Sequence, residues 1–295
     1  MAAVLEECAR FAPSDHPMVL VGERGVGKSA LAGHVHVLSH RQGEFVDGSL
    51  AGLAPGLELS YLVGHVRGAF TGALADRPGV IEAAHRGTLF LDELGLASTA
   101  AQGVLLHVLE HKTVRRVGET RRRAVDTRIV AATNADLDAM CQAGTFRQDL
   151  LDRFGYDWIS VPPLRERRDE ILSLTALYLT AECASAGRGE PPALSDSVRE
   201  CLQAAPWLDN VRGVVSLCRH LARQCGGDDI VELRHLPDRF VRTLGSVAGA
   251  LVKKSRQQAI REAVTRAGGN KTKAAKDLKM SRRHLHRLLK AAEPT

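Results

Sequence analysis

Gly22-Glu23-Arg24-Gly25-Val26-Gly27-Lys28-Ser29 stands directly after the apolar run Met18–Val21 and directly before a stretch of helical character at 30–39. The spacing G-x-x-x-x-G-K-S between a strand and a helix is typical of a phosphate-binding loop, whose backbone N–H groups wrap phosphates at a helix N-terminus. Lys28 is expected to reach the outer phosphates, and the Ser29 hydroxyl is expected to ligate Mg²⁺. This stretch therefore predicts an α/β nucleotide-binding fold, with all eight residues around the phosphates.

Two later strands are expected to end in polar side chains. The apolar run 87–91 is followed by Asp92 and Glu93, and the run 127–132 is followed by Thr133 and Asn134. Asp92 is expected to hold Mg²⁺ through its water shell, while Glu93 orients and deprotonates an attacking water. Asn134 could sense the terminal phosphate or position that water. The alternatives are acids at an ordinary helix start and, for Asn134, a turn residue.

Between the phosphate-binding loop and the Asp-Glu strand lies a hexapeptide of mostly small residues, Gly68-Ala69-Phe70-Thr71-Gly72-Ala73. Glycines at both ends permit a tight turn, and Phe70 and Thr71 are the only side chains in it that could hold a partner. Taken alone, this peptide is equally consistent with an ordinary surface loop. Its place between two parts of a nucleotide site favours a binding role.

The composition is that of a soluble globular protein long enough for two or three domains. No apolar run approaches the roughly 18 residues that cross a membrane, and the N-terminus has no secretory pattern. Six cysteines without a C-x-x-C pair favour reduced thiols in a cytoplasm over disulfides or a zinc site. The pattern H-x-x-E-H at 107–111 matches an inverted zinc-protease motif, but no further ligand accompanies it.

Positive charge is concentrated at the end of the chain. Residues 251–295 contain 13 Lys or Arg against three Asp or Glu, whereas residues 1–250 contain 27 against 31. A compact basic tail favours nucleic-acid binding, and a solvated charged helix is the alternative. Helical segments are expected at 256–267, 271–278 and 281–291, with Asn270 and Ser281 as N-caps.

The chain as a whole resembles the bacterial enhancer-binding proteins, the AAA+ ATPases that activate sigma-54 RNA polymerase. Its layout is closest to that of members without a receiver domain, and the hexapeptide GAFTGA is close to diagnostic of the class. The segments that carry the resemblance are GERGVGKS (22–29), VGHVRGAFTGA (63–73), GTLFLDE (87–93), VDTRIVAATNADL (125–137), GTFRQDLLDRF (144–154), VPPLRERRDEI (161–171) and NVR (210–212).

The resemblance implies an ordered set of segments. Residues 1–163 are expected to form an α/β ATPase subdomain, with a parallel sheet flanked by helices, and residues 164–244 a helical lid. A linker at 245–252 would then lead to an all-α Fis-type helix-turn-helix at 253–295, so double-stranded DNA at upstream sites is an expected partner. The expected DNA-binding residues are Lys271, Thr272, Ser281, Arg282, Arg283, His284 and Arg287. The alternative is a small basic bundle that packs back on the lid.

The resemblance also implies ATP and Mg²⁺ as cofactors, and a homo-oligomeric ring, usually a hexamer, with ATP at the subunit interfaces. The hexapeptide would point into the pore and contact sigma-54, near a second loop at 116–119. Arg147 and Arg153 would reach the γ-phosphate of the neighbouring subunit, and Arg212 would sense nucleotide in its own subunit. Without the family, the first two would be surface ion pairs and Arg212 a helix-surface residue.

Several features depart from the family pattern. Ser49 occupies a position that is commonly Asn, where the amide forms a switch with the catalytic Glu; a hydroxyl could still hydrogen-bond Glu93, at shorter reach. Gly213 weakens the helix start within the lid block 207–214. Members usually begin earlier, so either the true start differs or a separate regulatory protein exerts control. The alternatives to an activator are a DNA-binding repressor or scaffold with a weakened ATPase acting without sigma-54, and a generic AAA+ remodeller.

Overall fold

A computed structural model of the chain describes residues 1–54, 56–225, 230–244, 260–261, 263–278, 280–281 and 285. The chain divides into two compact units, Met1–Pro163 and Leu164–Thr295. Within the described ranges, no helix combines the length and the apolar character needed to cross a membrane.

Nine strands lie in the described part of the first unit. In chain order they are β1 (Met18–Val21), β2 (Phe45–Ser49), β3 (Gly64–His65), β4 (Arg77–Pro78), β5 (Thr88–Asp92), β6 (Thr113–Val114), β7 (Arg123–Ala124), β8 (Arg128–Thr133) and β9 (Trp158–Ser160). Five of them form a parallel sheet in the order β2-β5-β8-β1-β9. The central strands β5, β8 and β1 are almost entirely buried, as a parallel sheet covered on both faces requires. The predicted parallel α/β fold is therefore confirmed.

Helices cover both faces of this sheet. They are α1 (Ala2–Phe11), α2 (Lys28–Ser39), α3 (Glu58–Val63), α4 (Val80–Ala83), α5 (Thr99–His111), α6 (Leu137–Gln142) and α7 (Gln148–Phe154). One core contains residues of α1 and α2 such as Cys8 and Leu31 together with Leu20 of β1. The other contains Leu105 of α5 and Phe154 of α7 together with residues of the same sheet. The sheet therefore lies between two separate hydrophobic cores. These cores hold the strands in place, and so they also hold the edge at which the strands end.

Two short antiparallel hairpins project from this body. β3 pairs with β4, and β6 pairs with β7. A bridge between His65 and Val117 joins the two hairpins. The hexapeptide lies between β3 and β4, and the second predicted loop lies between β6 and β7, so the bridge places the two loops side by side.

A buried arginine holds the end of α1 against β8. Arg128 is 1% exposed, and its guanidinium donates to the backbone carbonyls of Ala12 at 2.5 Å and Phe11 at 2.8 Å. These carbonyls lie at the C-terminal end of α1, where a helix has no partners of its own for them. Desolvation lowers the pKa of Arg128 from its ordinary value. Nothing in the local sequence pattern identified this residue as buried.

The second unit is mainly helical where the structure describes it. Its helices are α8 (Glu170–Ser185), α9 (Asp196–Ala204), α10 (Asn210–Gln224), α11 (Asp238–Thr243) and α12 (Lys271–Asp277), and the short strands β10 (Ala193–Leu194) and β11 (Ile230–Val231) pair in parallel.

Asn210, the first residue of α10, is fully buried with a φ of 52°, and its Oδ1 accepts the Leu164 N–H at 2.8 Å. Gly213 lies inside α10, so the helix forms despite the expected weak start.

Among the described tail residues, one predicted helix cap is observed, that at Asn270. Residues 260–261 and 263–266 are helical, and Gly268 and Gly269 follow with φ values of 61° and 81°, which only glycine adopts readily. Asn270 caps α12 as predicted, since its Oδ1 accepts the N–H groups of Thr272 at 3.0 Å and Lys273 at 3.1 Å. The linker 245–252 and most of the predicted helix 281–291, including Arg282, Arg283, His284 and Arg287, lie outside the described residues.

Candidate nucleotide site and its adjoining loops

The phosphate-binding loop connects β1 to α2 with the backbone that its glycines require. Gly25 and Gly27 have φ values of 75° and 107°, and α2 begins at Lys28. A Cβ atom at Gly27 would meet nothing within 4 Å, so the space beside this glycine is open. Gly22, in contrast, lies against β9's continuation, where an added Cβ would come within 2.7 Å of the Val161 carbonyl oxygen. The loop therefore fits a nucleotide phosphate.

Lys28 is the buried cation of this loop. Its residue is 9% exposed, and its Nζ donates to the carbonyl oxygens of Gly22 at 2.8 Å and Glu23 at 3.0 Å. The ammonium is thereby held inside the curve of the loop, where a phosphate could replace a carbonyl as acceptor. Ser29 follows with an exposed side chain, so its hydroxyl is open to a metal bound with the nucleotide.

The carboxyl ends of four neighbouring strands meet at one edge of the sheet. β1 continues into the phosphate-binding loop, β8 ends at Thr133 and Asn134, β5 ends at Asp92, and β2 ends at Ser49. In the register, Val21 lies beside Thr133, and Ser49 lies beside Asp92. Ligands of α/β sheets bind outside such carboxyl ends. The residues predicted for phosphate, metal and water are therefore brought to one edge.

Glu93 has an unusual backbone and one clear side-chain partner. Its φ of 59° and ψ of 45° place it in the left-handed region, which is uncommon for residues other than glycine. The Asp92 carboxylate accepts its N–H at 2.9 Å. Its own carboxylate accepts a hydrogen bond from Arg24 Nε at 3.1 Å, with the Glu93 side chain 15% exposed and that of Arg24 65% exposed. An arginine of the phosphate-binding loop thus holds the predicted water-activating carboxylate.

Ser49 makes no hydrogen bond with Glu93 in the described part of the chain. Its hydroxyl accepts the N–H of Ala51 at 3.2 Å, and its own N–H donates to the Tyr61 hydroxyl at 3.1 Å. The hydrogen bond that a switch side chain would make is made by Arg24 here. The predicted role of Ser49 stays a prediction. Desolvation and, secondly, the charge of Asp92 raise the pKa of Asp47 from its ordinary value.

The two predicted finger arginines are both exposed and both pair within their own chain. Arg147 precedes α7 and contacts Asp149 at 2.6 Å, and Arg153 in the last turn of α7 contacts Glu110 at 2.5 Å. The hydrogen bond from Arg147 lowers the pKa of Asp149 from its ordinary value. Arg212 lies on α10 of the second unit with an exposed side chain, and its nucleotide-sensing role stays a prediction.

The hexapeptide forms a compact turn that exposes its two larger side chains. The Gly68 N–H donates to Ala73 O at 2.8 Å, and the Ala73 N–H donates to Phe70 O at 3.0 Å. Phe70 is 36% exposed, and its ring lies edge-on to the His65 ring with centroids 5.0 Å apart. Thr71 is exposed. The loop is therefore preformed, with an aromatic and a hydroxyl at its surface.

The second loop packs against the first. The Val117 carbonyl accepts the Val66 N–H at 3.1 Å, and a Cβ on Gly118, whose φ is 81°, would come within 2.8 Å of the Ala69 Cβ. At its base, Arg116 donates to both oxygens of Glu82 at 2.9 and 2.8 Å. The second loop therefore packs directly on the first.

The H-x-x-E-H pattern does not gather into a metal site. His107 contacts Thr113 at 3.1 Å, Glu110 contacts Arg153, and the two histidine rings stack with centroids 4.5 Å apart. Among the residues that the structure describes, no group of three or more His, Cys, Asp or Glu side chains is arranged to hold a metal.

Comparison with known families divides the chain into three consecutive matches. The Sigma-54 interaction domain matches residues 1–159, the AAA+ ATPase lid domain matches residues 165–248, and the Bacterial regulatory protein, Fis family, matches residues 257–291. The last match includes the predicted DNA-binding residues Lys271, Thr272 and Ser281, of which the first two open α12.

Individual proteins agree with these families. The chain is 42% identical over 234 residues to the Psp operon transcriptional activator of Escherichia coli K12, covering 77% of this chain and 72% of that protein. It is 35% identical over 317 residues to the nitric oxide reductase transcription regulator NorR1 of Cupriavidus necator, covering 98% of this chain and 62% of that protein. The crystal structure of NtrX from Brucella abortus in complex with ATP is similar with a TM-score of 0.73 and 29% identity, covering 99% of this chain and 67% of that one.

The chain thus spans about three fifths to three quarters of the length of these relatives. Its family matches, its identity to activators and its parallel sheet with a phosphate-binding loop agree with one another. The chain belongs to the sigma-54-dependent transcriptional activators, the family of AAA+ ATPases that carry a sigma-54 interaction domain and a Fis-type helix-turn-helix.

Proposed function

We propose that this chain hydrolyses ATP and uses the reaction to remodel sigma-54 RNA polymerase holoenzyme into the open complex, while its tail holds it on upstream double-stranded DNA. One observation carries the proposal. The phosphate-binding loop and the Asp92–Glu93 pair lie at one edge of the sheet and touch through Arg24, while a preformed loop in the same unit exposes Phe70 and Thr71.

The roles at the nucleotide follow from the chemistry of the residues present. The loop 22–29 wraps the phosphates with backbone N–H groups, and Lys28 neutralises the outer ones. Ser29 and Asp92 are the oxygen ligands available for Mg²⁺, which would neutralise charge on the phosphates. Glu93 accepts a proton from the attacking water once its carboxylate leaves Arg24, and Asn134 at the end of β8 orients that water.

The proposal includes a ring, usually of six copies, in which each nucleotide is completed by a neighbour. Arg147 directly precedes α7 and Arg153 lies in its last turn. Both are exposed, and their guanidiniums pair with the surface carboxylates of Asp149 and Glu110. Surface ion pairs of this kind are weak, so a phosphate of the adjacent subunit can replace Asp149 and Glu110 as partners. Arg212 supplies a further cation from the lid of the same chain.

Thr71 at the exposed tip tests the output end of this proposal. Thr71→Ala removes one hydroxyl and one methyl far in sequence from the phosphate-binding loop, so ATP hydrolysis should continue while open-complex formation by sigma-54 polymerase is lost. Both are measured with purified protein, the first by phosphate release and the second by permanganate footprinting of promoter DNA. Thr180→Ala, at an exposed threonine of α8, is the matched control.

Three results would contradict the proposal. Unchanged open-complex formation by Thr71→Ala would reject the role of the hexapeptide. The absence of ATP hydrolysis by the unaltered chain would reject the ATPase itself. Hydrolysis with DNA binding but no effect on the polymerase would support the repressor or scaffold alternative instead.

A further inference from the structure

The end of β2 is held from outside the sheet by a tyrosine. β2 is an edge strand, so one side of its backbone has no neighbouring strand among the described residues. On its other side, Ser49 lies in register with Asp92, and the following N–H, that of Leu50, donates to Asp92 O at 3.3 Å. The Ser49 N–H donates outward to the Tyr61 hydroxyl at 3.1 Å. One residue therefore contacts the strand of the catalytic acids and Tyr61 at once.

The fit between Tyr61 and β2 is close. A Cβ added to Gly48 would stand 3.1 Å from the Tyr61 hydroxyl oxygen, so a larger residue at 48 would crowd this contact. The Tyr61 ring is half-buried and packs against the core that also contains Leu50, Leu62 and Leu91. The hydroxyl thus reaches a backbone N–H at the strand end from a ring that the core holds in place.

Tyr61 belongs to α3, and this helix makes a second polar contact, with the segment that follows strand β5. Ser98, six residues after Asp92 in the chain, donates its N–H to Glu58 Oε1 at 3.1 Å. The short helix is consequently tied at two points, once to the end of β2 and once to the segment that follows Glu93. A shift of these two chain segments would therefore act on α3 through both hydrogen bonds.

The same helix leads directly into the hexapeptide hairpin. α3 ends at Val63 and β3 begins at Gly64. A Cβ at Gly64 would come within 2.3 Å of the Arg77 carbonyl oxygen, and a Cβ at Gly79 would come within 2.3 Å of the Leu62 carbonyl oxygen. The end of α3 and the two strands of the hairpin are therefore in close backbone contact.

We propose that Tyr61 is a positioning residue that couples the strand end beside Asp92 to the hexapeptide, through its hydroxyl and the backbone N–H of Ser49. This deepens, and rests on, the proposed use of ATP hydrolysis to move that loop. Because the tie is made by the backbone of residue 49, it does not depend on which side chain stands there. The coupling therefore survives the replacement of the family's common Asn by Ser49.

The test measures the response of the hairpin to nucleotide and does not require the polymerase. Hydrogen–deuterium exchange of peptide 64–78 is measured by mass spectrometry in the full chain, without nucleotide and with ADP and aluminium fluoride, a mimic of the transition state. The unaltered chain should show a nucleotide-dependent difference, and Tyr61→Phe, which removes only the hydroxyl, should lose it. Tyr156→Phe, at a fully exposed tyrosine of the same unit, and Ser49→Ala should keep the difference.

Each other outcome overturns the proposal. Retention of the difference in Tyr61→Phe would show that the hydroxyl transmits nothing. Its loss in Ser49→Ala but not in Tyr61→Phe would place the coupling in the side chain of residue 49. Faster exchange of peptide 64–78 in Tyr61→Phe, both with and without nucleotide, would indicate local unfolding instead of lost coupling. The absence of a nucleotide-dependent difference in the unaltered chain would show that the hairpin does not respond to nucleotide, which would reject the coupling.

A second measurement separates this proposal from the function on which it rests. In Tyr61→Phe, ATP hydrolysis should persist while the number of open complexes formed per ATP hydrolysed falls. An unchanged ratio would contradict the coupling role. Failure of the unaltered chain to form open complexes would count against the remodelling function, and the exchange experiment, which needs no polymerase, would still decide the role of Tyr61.

Discussion

Removal of the Arg24 side chain should release Glu93 and raise the basal rate of ATP hydrolysis. Arg24 Nε donates to the Glu93 carboxylate at 3.1 Å. A carboxylate engaged in this pair must leave it before it can accept a proton from water. Arg24→Gln keeps a polar but shorter side chain and removes the charge, so it lowers the free energy needed for that step.

The size of the effect follows from the exposure of the pair. The Glu93 side chain is 15% exposed and that of Arg24 is 65% exposed, so solvent screens the interaction. A pair of this kind is worth about 0.5–1 kcal/mol at low salt. Lowering the barrier by that amount raises kcat by about two- to fivefold. Salt at roughly 0.5 M screens the pair in the unaltered chain, so the difference between the two proteins should shrink there.

The assay is steady-state phosphate release over a range of ATP concentrations at low and high salt. Saturating ATP separates kcat from KM, because Arg24 is also part of the phosphate-binding loop and its loss should raise KM. Arg24→Lys, which keeps the charge, is the matched control and should stay near the unaltered rate. A kcat for Arg24→Gln that is unchanged or lower at saturating ATP would refute the restraint of Glu93 by Arg24.

Other expectations concern catalysis, stability and thiol reactivity. Glu93→Gln should still bind ATP but lose about 10²–10⁴-fold in turnover, because an amide cannot accept the proton; equal turnover in a phosphate-release assay would contradict the role of Glu93. Arg128→Met should lower the free energy of unfolding by about 2–4 kcal/mol, since two buried carbonyls lose their donors; urea denaturation with an unmoved midpoint would contradict this account. Burial raises the pKa of the Cys8 thiol to about 11 and that of Cys218 to about 12. At pH 8 their thiolate fractions are then about 0.001 or less. Iodoacetamide should therefore label these two thiols rapidly only in urea, as measured by mass spectrometry. Rapid labelling of the native chain would contradict their burial.

The main strands and the phosphate-binding loop could be predicted because their signals are local. A continuous apolar run such as Met18–Val21 suits a strand covered on both faces, and the following glycines permit the curved backbone at positive φ. The helix caps at Asn270 and the glycine break before it were predictable for the same reason. Each of these features depends on a few consecutive residues.

The partners of the site residues could not be predicted in this way. Arg24 and Glu93 are 69 residues apart in sequence, and several carboxylates other than Glu93 were available to that arginine. Tyr61 gave no signal, because a tyrosine in a short amphipathic segment is most often a core residue. Its hydroxyl reaches Ser49 only because β2 is the edge strand and α3 packs beside it.

The sequence alone therefore determined the chemistry: a loop that wraps phosphates, carboxylates that follow a buried strand, an exposed Phe70 and Thr71, and a basic tail. Backbone propensity, glycine geometry and charge depend on neighbouring residues, so these features can be predicted directly from the sequence. The tertiary structure decided which groups meet, namely Arg24 with Glu93 and Tyr61 with Ser49. Those contacts depend on the order of strands in the sheet and on side-chain directions, which are set by the packing of the whole unit rather than by any local stretch.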